Sequence, residues 1–204
     1  MASAKVFLID DQESVRSALG EMLGVYGFDV ETFASATAFL GSHAAAGAGC
    51  IVSDVRMPGM DGIELVRECQ RRGLGMPVVL ISGHADVPMA VAAIKAGAED
   101  MIEKPIDDAQ LVAAINRGLA RNLERRNQLA SVEALSGRFE QLTQREAEVF
   151  DLVVEGLTSP AIATRLGIST RTVESYRAKV MDKMQADSVA ALVRQAVQLG
   201  RSSP

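Results

Sequence analysis

The first 120 residues of the chain alternate between two kinds of hydrophobic pattern. Short apolar runs, which predict buried strands, lie between longer segments whose apolar residues recur every three or four positions, which predict helices. The predicted strands are residues 5–9, 28–33, 50–53, 77–81 and 99–102, and the predicted helices are 13–26, 35–46, 61–72, 86–97 and the residues from 107 onward. Because strands alternate with helices, the pattern predicts an α/β fold with a doubly wound, five-stranded parallel sheet.

From Phe139 onward the pattern is helical throughout, and the helices are short. Thr143 and Glu146 have the spacing of a capping box, which predicts the start of a helix that ends near Glu155. Three further helices are predicted at Thr158–Leu166, from Ser169 to about Met184, and from Ser188 to Leu199. The middle pair, joined by a short turn, is typical of a helix-turn-helix, so a small all-α domain is expected to follow the sheet domain.

The segment between the two patterns allows two interpretations. Apolar residues at four-residue spacing end at Leu123, five polar residues follow, and an apolar stripe resumes at Leu129. Either a helix ends near residue 121 and a solvated linker follows, or one long helix reaches about residue 135 and pairs with a copy of itself. Ser136-Gly137 is the predicted break. The predicted domains are therefore 1–122, a helical linker at 123–138, and 139–204.

Composition excludes several classes of protein. Apolar residues make up 48% of the 204 residues, which is enough for a buried core and too many for a disordered chain. No stretch approaches the roughly 20 apolar residues of a membrane helix, and the first residues lack the basic and apolar regions of a signal peptide. Two cysteines form neither a disulfide framework nor a zinc pattern. A reducing cytoplasm and no membrane partner are expected.

Charge is distributed unevenly along the chain. Residues 1–123 hold 10 basic and 16 acidic residues, whereas residues 136–204 hold 9 basic and 8 acidic ones. An acidic first part and a nearly neutral last part indicate two domains with different tasks. The last part is not basic enough for charge alone to indicate nucleic-acid binding.

Polar residues follow the ends of four predicted strands. Asp10-Asp11 follows the first strand, Asp54 follows the third, Ser82 the fourth and Lys104 the fifth. A lone aspartate at a strand end is more often a turn or cap residue. Because the carboxyl ends of parallel strands meet at one edge of a sheet, these residues are expected to form a single cluster there.

The residue types of this cluster suit phosphoryl transfer. Three close carboxylates repel one another, and Mg²⁺, which prefers carboxylates, carbonyls and water, relieves that repulsion. Lys104 adds a second positive charge that can neutralise an incoming phosphoryl group, with Asp54 as the nucleophile. Ser82 can donate a hydrogen bond to a phosphoryl oxygen. Positioning and charge neutralisation supply most of the catalysis in such a transfer.

Residues 1–122 resemble the receiver domain of bacterial response regulators, in the CheY-like superfamily. The resemblance rests on Asp10-Asp11, the D-V-R-M-P-G-M-D-G segment around Asp54, the S-G-H-A-D-V-P-M-A-V segment at 82–91, and E-K-P at 103–105. It implies that Asp54 accepts a phosphoryl group from a sensor histidine kinase. It also implies that Asp11, Asp54 and the backbone carbonyl of Arg56 bind Mg²⁺, that Asp10 acts mainly through water, that Lys104 contacts the phosphoryl group, and that Lys104–Pro105 is cis.

Two positions depart from the family pattern. Ser82 stands where the family often has Thr. Compared with Thr, a serine keeps the hydroxyl and lacks the methyl group. Met101 stands three residues before the lysine, where the family usually has a Tyr or Phe that turns inward on phosphorylation. Met is flexible and can fill the same space, so Met101 is the expected switch position. The face through which the domain dimerises is left open by this substitution.

Residues 139–200 resemble the LuxR/FixJ-type helix-turn-helix domain. The resemblance rests on L-T-Q-R-E at 142–146, L-G-I-S at 166–169 and T-V-E-S-Y-R-A-K-V-M at 172–181. It implies that the third helix enters the major groove of double-stranded promoter DNA. Glu174, Ser175, Ala178 and Lys179 are expected to meet base edges, and Arg171, Thr172, Arg177 and Lys183 are expected to contact phosphates. The alternative is a helical bundle that only dimerises.

The leading hypothesis is a two-component response regulator that dimerises on promoter DNA after phosphorylation, with RNA polymerase as a further candidate partner. The chain is then not an enzyme. A rival is a phosphatase of the haloacid-dehalogenase type, which needs a second aspartate two residues after the nucleophile, where this chain has Arg56. A regulator that works without phosphorylation and a pure interaction module are the other rivals.

Overall fold

The computed structural model describes residues 3–84 and 86–201. Met1, at the start that was predicted not to be a signal peptide, and Ala85, which belongs to the 82–91 segment, lie outside the described residues. The chain divides into two compact units, residues 1–125 and 126–204. The predicted domain boundaries at 122/123 and 138/139 stay a prediction.

The first unit is built on a five-stranded sheet. Its strands are β1 (Lys5–Ile9), β2 (Asp29–Phe33), β3 (Cys50–Asp54), β4 (Val78–Ser82) and β5 (Asp100–Glu103). All neighbouring strands are parallel, and their order is β2-β1-β3-β4-β5. The predicted five-stranded parallel sheet is therefore confirmed. The chain reverses its direction of winding between β1 and β3, and such a reversal opens a crevice at the carboxyl ends of the strands.

Helices cover both faces of the sheet. They are α1 (Glu13–Val25), α2 (Ala36–Leu40), α3 (Gly62–Arg71), α4 (Val87–Ala96) and α5 (Asp108–Glu140). One buried cluster joins the sheet to α2, α3 and α4, and a second joins it to α1 and the first turns of α5. The apolar runs therefore alternate side chains between two cores, and this holds the strands in register.

The single helix predicted at 35–46 is wrong. After α2 the chain bends at Gly41 and forms a short 3₁₀ helix at His43–Ala46. The Ser42 hydroxyl donates a hydrogen bond to the Phe39 carbonyl and accepts one from the Ala44 amide. A serine that bonds the local backbone in this way competes with helix continuation.

The second unit is entirely helical. Beyond the end of α5 it contains α6 (Gln144–Val154), α7 (Ser159–Leu166), α8 (Thr170–Met184) and α9 (Val189–Gln198). The Thr143 hydroxyl and the Glu146 carboxylate form the predicted capping box at the start of α6. Ser169 and Ser188 cap α8 and α9 with their hydroxyl groups, and Gly167 adopts a left-handed conformation in the turn between α7 and α8. None of the helices in the described part of the chain is long and apolar enough to cross a membrane.

The predicted break at Ser136-Gly137 is wrong, because α5 continues through both residues to Glu140. A glycine inside a helix costs about 1 kcal/mol relative to alanine. Burial of Leu135 and packing of Phe139 in the core of the second unit compensate for that cost. The structure thus has the long helix of the two alternatives, and the pairing of two copies through it stays a prediction.

A second glycine of α5 has a packing role. A Cβ atom at Gly118 would lie 2.8 Å from the Cβ atom of Pro77, at the start of β4. Only a glycine allows the helix to approach the sheet this closely. Gly137, by contrast, has no atom within 4 Å of the equivalent position.

We therefore expect opposite effects from the same substitution at these two positions. Gly118→Ala should lower the free energy of unfolding of the first unit by about 1–3 kcal/mol, because the added methyl group overpacks the contact with Pro77. Gly137→Ala should stabilise the second unit by about 0.5–1 kcal/mol, because it removes a helix glycine without a clash. Thermal and urea unfolding of the full chain measure both. A neutral Gly118→Ala would contradict the close approach of α5.

Candidate phosphorylation site and DNA-binding surface

An ion pair lies at the carboxyl edge of the sheet. The Lys104 Nζ atom is 2.6 Å from Oδ1 of Asp54 and 3.5 Å from Oδ2 of Asp10. Both aspartates are buried, with 6% and 2% of their surface exposed. The structure therefore brings together the last residue of β3 and the residues that follow β1 and β5, as the strand-end pattern predicts. The expected cis peptide bond at Lys104–Pro105 is also present.

Backbone amides hold the two carboxylates in place. The Arg56 amide donates to Oδ2 of Asp54 at 2.7 Å, and the Gln12 amide donates to Oδ1 of Asp10 at 2.8 Å. Each carboxylate thus has one oxygen bonded to the backbone and the other turned toward Lys104. This arrangement fixes the orientation of Asp54 without using all of its acceptor capacity.

The pKa values of the site reflect the cost of burying several charges. Burial raises the pKa of Asp10, and the nearby charges of Asp54 and Asp11 add to this, although the Gln12 amide and Lys104 oppose it. Burial lowers the pKa of Lys104, but the hydrogen bond and charge of Asp54, together with Asp10, outweigh this and raise it. Two buried carboxylates thus share one ammonium group, so the edge retains an excess of negative charge.

Asp11 differs from the other two aspartates, because its side chain is exposed. It lines an open cleft of about 610 Å³ together with Val55, Arg56, Met57, Pro58, Asp61, Ile63 and Met89. Within residues 3–84 and 86–201, no group of three or more Asp, Glu, His or Cys side chains is already gathered to hold a metal ion. The donor set of carboxylates and a carbonyl suits Mg²⁺, but the cation would share Asp10 and Asp54 with Lys104.

The Ser82 hydroxyl is committed to its own loop. It is buried, it donates to the His84 carbonyl at 3.0 Å, and it accepts from the His84 amide at 3.2 Å. The Met89 Sδ atom lies 3.7 Å away as a second, weaker acceptor. A hydrogen bond from Ser82 to a phosphoryl group on Asp54 therefore requires the present bond to break.

Met101 lies on β5, where it is half-buried and packs against the core cluster under α2, α3 and α4. Its backbone amide donates to the Asp100 side chain at 2.8 Å. The predicted switch position therefore lies one strand away from Ser82, on the β4–β5 pair in which Leu80 faces Met101. Its role as a switch stays a prediction.

Two residues of the site were not predicted from the sequence. Arg16 on α1 donates to the Asp10 carbonyl at 2.7 Å and fastens that helix to the end of β1. Gly62, the first residue of α3, packs so closely that a Cβ atom would lie 2.5 Å from the Asp54 carbonyl oxygen. A glycine after the capping Asp61 hinted at the second, but only the position of α3 explains it.

Helix α8 presents a polar face to solvent. Arg171 and the four residues predicted to meet base edges, Glu174, Ser175, Ala178 and Lys179, are exposed. Val173, Val180 and Met184 are buried in the core of the unit. Thr172 and Arg177 are half-buried, and the Thr172 hydroxyl shares a hydrogen bond with the Ser169 hydroxyl at 2.8 Å.

Lys183 does not lie free on that face. Its Nζ atom is 2.6 Å from Oε2 of the buried Glu146 and 3.1 Å from the Gln141 carbonyl. These bonds tie the last turn of α8 to the beginning of α6, and they neutralise the ammonium group. The geometry thus favours a structural role for Lys183 over the predicted phosphate contact. The sequence alone did not reveal that Glu146 lies beside Lys183.

Comparison with known proteins gives two family matches. Residues 6–116 match the response regulator receiver domain, and residues 140–196 match the bacterial regulatory proteins of the luxR family. The chain is 46% identical over 198 residues to the transcriptional regulatory protein FixJ of Azorhizobium caulinodans, covering 97% of this chain and 94% of that protein.

Solved structures agree with both matches. The response regulator StyR is 41% identical and has a TM-score of 0.85, with 97% of this chain and 100% of StyR covered. Full-length FixJ from B. japonicum is 39% identical and has a TM-score of 0.62, with 100% of both chains covered.

The Glu146–Lys183 pair predicts a pH-dependent stability. The pKa of Glu146 lies below its ordinary value of 4.5, first because of the hydrogen bond from Lys183 and then because of the Thr143 amide. A lowered carboxylate pKa contributes stability that is present above the ordinary value and is lost as the pH falls through the lowered one. Glu146→Gln should therefore cost about 1–3 kcal/mol at pH 7, and its difference from the wild type should shrink below pH 4.5.

Urea unfolding of the full chain between pH 7 and pH 3 measures this difference. Glu148→Gln is the matched control, because Glu148 lies on the same helix and pairs with Arg145 near the surface. Its removal should cost less than about 0.5 kcal/mol. A Glu146→Gln deficit that persists unchanged at low pH would argue against the ion pair.

Proposed function

The chain belongs to the two-component response regulators that join a receiver domain to a LuxR-type DNA-binding domain, and on that premise we propose that Asp54 is its phosphoacceptor and that phosphorylation favours a DNA-binding dimer. Members of this family regulate transcription and are not enzymes. A kinase and DNA are the partners that the two domains imply. The observation that carries the proposal is the buried pair of Asp54 and Lys104, 2.6 Å apart.

Asp54 is oriented to attack a phosphorus atom. Its Oδ2 atom is held by the Arg56 amide, and its Oδ1 atom faces Lys104. When a phosphohistidine approaches, a carboxylate oxygen of Asp54 would form the new bond to phosphorus as the bond to the histidine nitrogen breaks. Lys104 would neutralise the phosphoryl oxygens, and Ser82 would leave the His84 carbonyl to donate to one of them.

Mg²⁺ is the proposed cofactor of the site. Asp10, Asp11, Asp54 and the backbone carbonyl of Arg56 would hold it, with Asp10 acting mainly through water. When bound, it supplies the second positive charge that a phosphoryl group needs beside these carboxylates. The geometry of the site supports this proposal, because the buried carboxylates of Asp10 and Asp54 lie beside a single ammonium group, 3.5 Å and 2.6 Å from Nζ of Lys104.

A groove beside Lys104 suits the histidine kinase. It has a volume of about 350 Å³, and α1 and the segment after β5 line it with Ser14, Val15, Ala18, Leu19, Lys104, Pro105 and Ile106. Most of these side chains are apolar or small, so a helix of the kinase could pack there and bring its phosphohistidine to Asp54. The position of the groove next to the phosphoacceptor supports this assignment.

Helix α4 suits the interface of the proposed dimer. Val87, Val91 and Ile94 follow one another at helical spacing, with 77%, 46% and 52% of their surface exposed. A second copy of the chain would cover this apolar stripe. Because α4 follows the Ser82 loop directly, a change at Ser82 can alter the stripe. The dimer would then act on promoters through RNA polymerase.

The exposed face of α8 is the proposed DNA-reading surface. Glu174, Ser175, Ala178 and Lys179 would meet base edges in the major groove, while Arg171, Thr172 and Arg177 would contact phosphates. The exposure of Arg171, Glu174, Ser175, Ala178 and Lys179, with Thr172 and Arg177 half-buried beside them, supports the proposal. Lys183 is left out of the set because Glu146 already neutralises it.

Substitution of the phosphoacceptor tests the central proposal. Asp54→Asn should abolish labelling by acetyl phosphate and the Mg²⁺-dependent shift to a dimer in size-exclusion chromatography, because an amide cannot act as the nucleophile. Asp61→Asn is the control, since Asp61 lines the same cleft but serves as the cap of α3. The mechanism would be refuted if the Asp54→Asn chain were labelled by acetyl phosphate and still shifted to a dimer with Mg²⁺.

The salt dependence of DNA binding tests the assignment on α8. Arg171→Ala should remove one phosphate contact and reduce the slope of log K against log salt by about 1. Lys183→Ala should leave that slope unchanged and lower the stability of the unit instead. Fluorescence anisotropy on promoter DNA, at temperatures where both variants are folded, measures the slopes. If Lys183→Ala reduced the slope as much as Arg171→Ala, Lys183 would also contact a phosphate.

A further inference from the structure

The Ser82 hydroxyl has one hydrogen atom and two acceptors beside it. One is the His84 carbonyl at 3.0 Å, and the other is the Met89 sulfur at 3.7 Å. A thioether sulfur is a weak acceptor, so in its reduced form Met89 barely competes for the hydrogen. Any change that turned Met89 into a strong acceptor would make it compete with the His84 carbonyl for the hydrogen of Ser82.

Met89 is placed where a small oxidant can reach it. It lies in the first turn of α4, is half-buried, and lines the 610 Å³ cleft that opens beside Asp11 and Arg56. Met57 lines the same cleft but is only 8% exposed.

The two cysteines do not compete for such an oxidant. Cys50 and Cys69 are buried, and burial raises the pKa of both thiols, that of Cys69 to about 11. A thiol with a raised pKa forms little of the thiolate that oxidants attack. A thioether needs no deprotonation, so its reactivity depends mainly on access.

We propose that Met89 is an oxidation site and that its sulfoxide holds the Ser82 hydroxyl away from the phosphoryl group, which disables the switch under peroxide stress. The inference rests on the proposed roles of Asp54 and Ser82. The oxidant is a two-electron peroxide: the sulfur attacks one peroxide oxygen, the O–O bond breaks, and the departing hydroxide takes the proton of the transferred oxygen. The products are methionine sulfoxide and water.

The sulfoxide differs from the thioether in its strength as a hydrogen-bond acceptor. Its oxygen is a strong hydrogen-bond acceptor, whereas the sulfur of the thioether is not. The Met side chain is unbranched and has three rotatable bonds, so the new oxygen can turn from the cleft toward Ser82. Methionine sulfoxide reductases reverse the reaction, so the change is a reversible signal.

The test compares the full chain with three variants before and after hydrogen peroxide. Met89→Leu removes the sulfur at nearly constant volume, and Met89→Gln places a permanent strong acceptor there. Met60→Leu is the control, because Met60 is half-buried against the same core, whereas the acceptors beside the Ser82 hydroxyl are the His84 carbonyl and the Met89 sulfur. Peptide mass mapping locates the oxidised methionines. Phosphate incorporation and DNA affinity, with and without acetyl phosphate, are measured in parallel.

We expect peroxide to oxidise Met89 and to remove most of the phosphorylation-dependent gain in DNA affinity, roughly a tenfold loss, the scale of one hydrogen bond to a charged acceptor. Phosphate incorporation at Asp54 should change much less. Met60→Leu should behave as the wild type does, Met89→Leu should keep its gain, and Met89→Gln should lack it without peroxide. Treatment with the reductases should restore the wild type.

The proposal is overturned if Met89 stays reduced at peroxide doses that oxidise Met60, or if oxidised Met89 leaves the gain intact. An untreated wild type without any phosphorylation-dependent gain would instead refute the proposed function, and the oxidation switch would fall with it. The untreated arm therefore separates the two failures.

Discussion

Two buried carboxylates that share one ammonium group are the constraint on which the receiver unit is organised. Asp10 and Asp54 are costly to bury beside each other, and Lys104 from a third strand makes their burial tolerable. The parallel order of the strands brings the three residues to one edge, and no local motif could do this. The negative charge that Lys104 leaves uncompensated is the feature on which the proposed binding of a cation and a phosphoryl group depends. The fold maintains this electrostatic imbalance by bringing the ends of distant strands together.

Much of this could be predicted from the sequence, because the signals were local. The strands read as apolar runs, and the caps of α6 and α8 were visible at Thr143 and Ser169. The strand-end residues predicted that Asp10, Asp54 and Lys104 would lie together. The misses were caused by contacts between distant residues. Gly137 looked like a break, but the core of the second unit keeps it helical. The pairing of Lys183 with Glu146, 37 residues earlier, was not visible either, and the phosphate contact of Lys183 stays a prediction.

Two methionines pack near the candidate site of phosphorylation, on elements that follow one another along the chain. Met101 on β5 and Met89 on α4 both pack against the core that faces α3 and α4. A flexible side chain fills a gap in either of two states at low cost, so it defines neither state sharply. In the proposed mechanism, discrimination between the two states would come from hydrogen bonds, and the bond from Ser82 to the His84 carbonyl is the one that would change.

The pair of Glu146 and Lys183 has a further consequence for the way the second unit presents its charge. Four acidic residues of that unit are each matched by a basic residue within it, Glu146 by Lys183 and the others in the pairs Arg145–Glu148, Arg165–Glu155 and Arg201–Asp151. These pairs cancel at short range and contribute little to the field at a distance. Outside these pairs, α8 carries Arg171, Arg177 and Lys179 together with Glu174 and Asp182. A net charge close to zero therefore still leaves charged side chains of both signs on the helix that is proposed to read DNA.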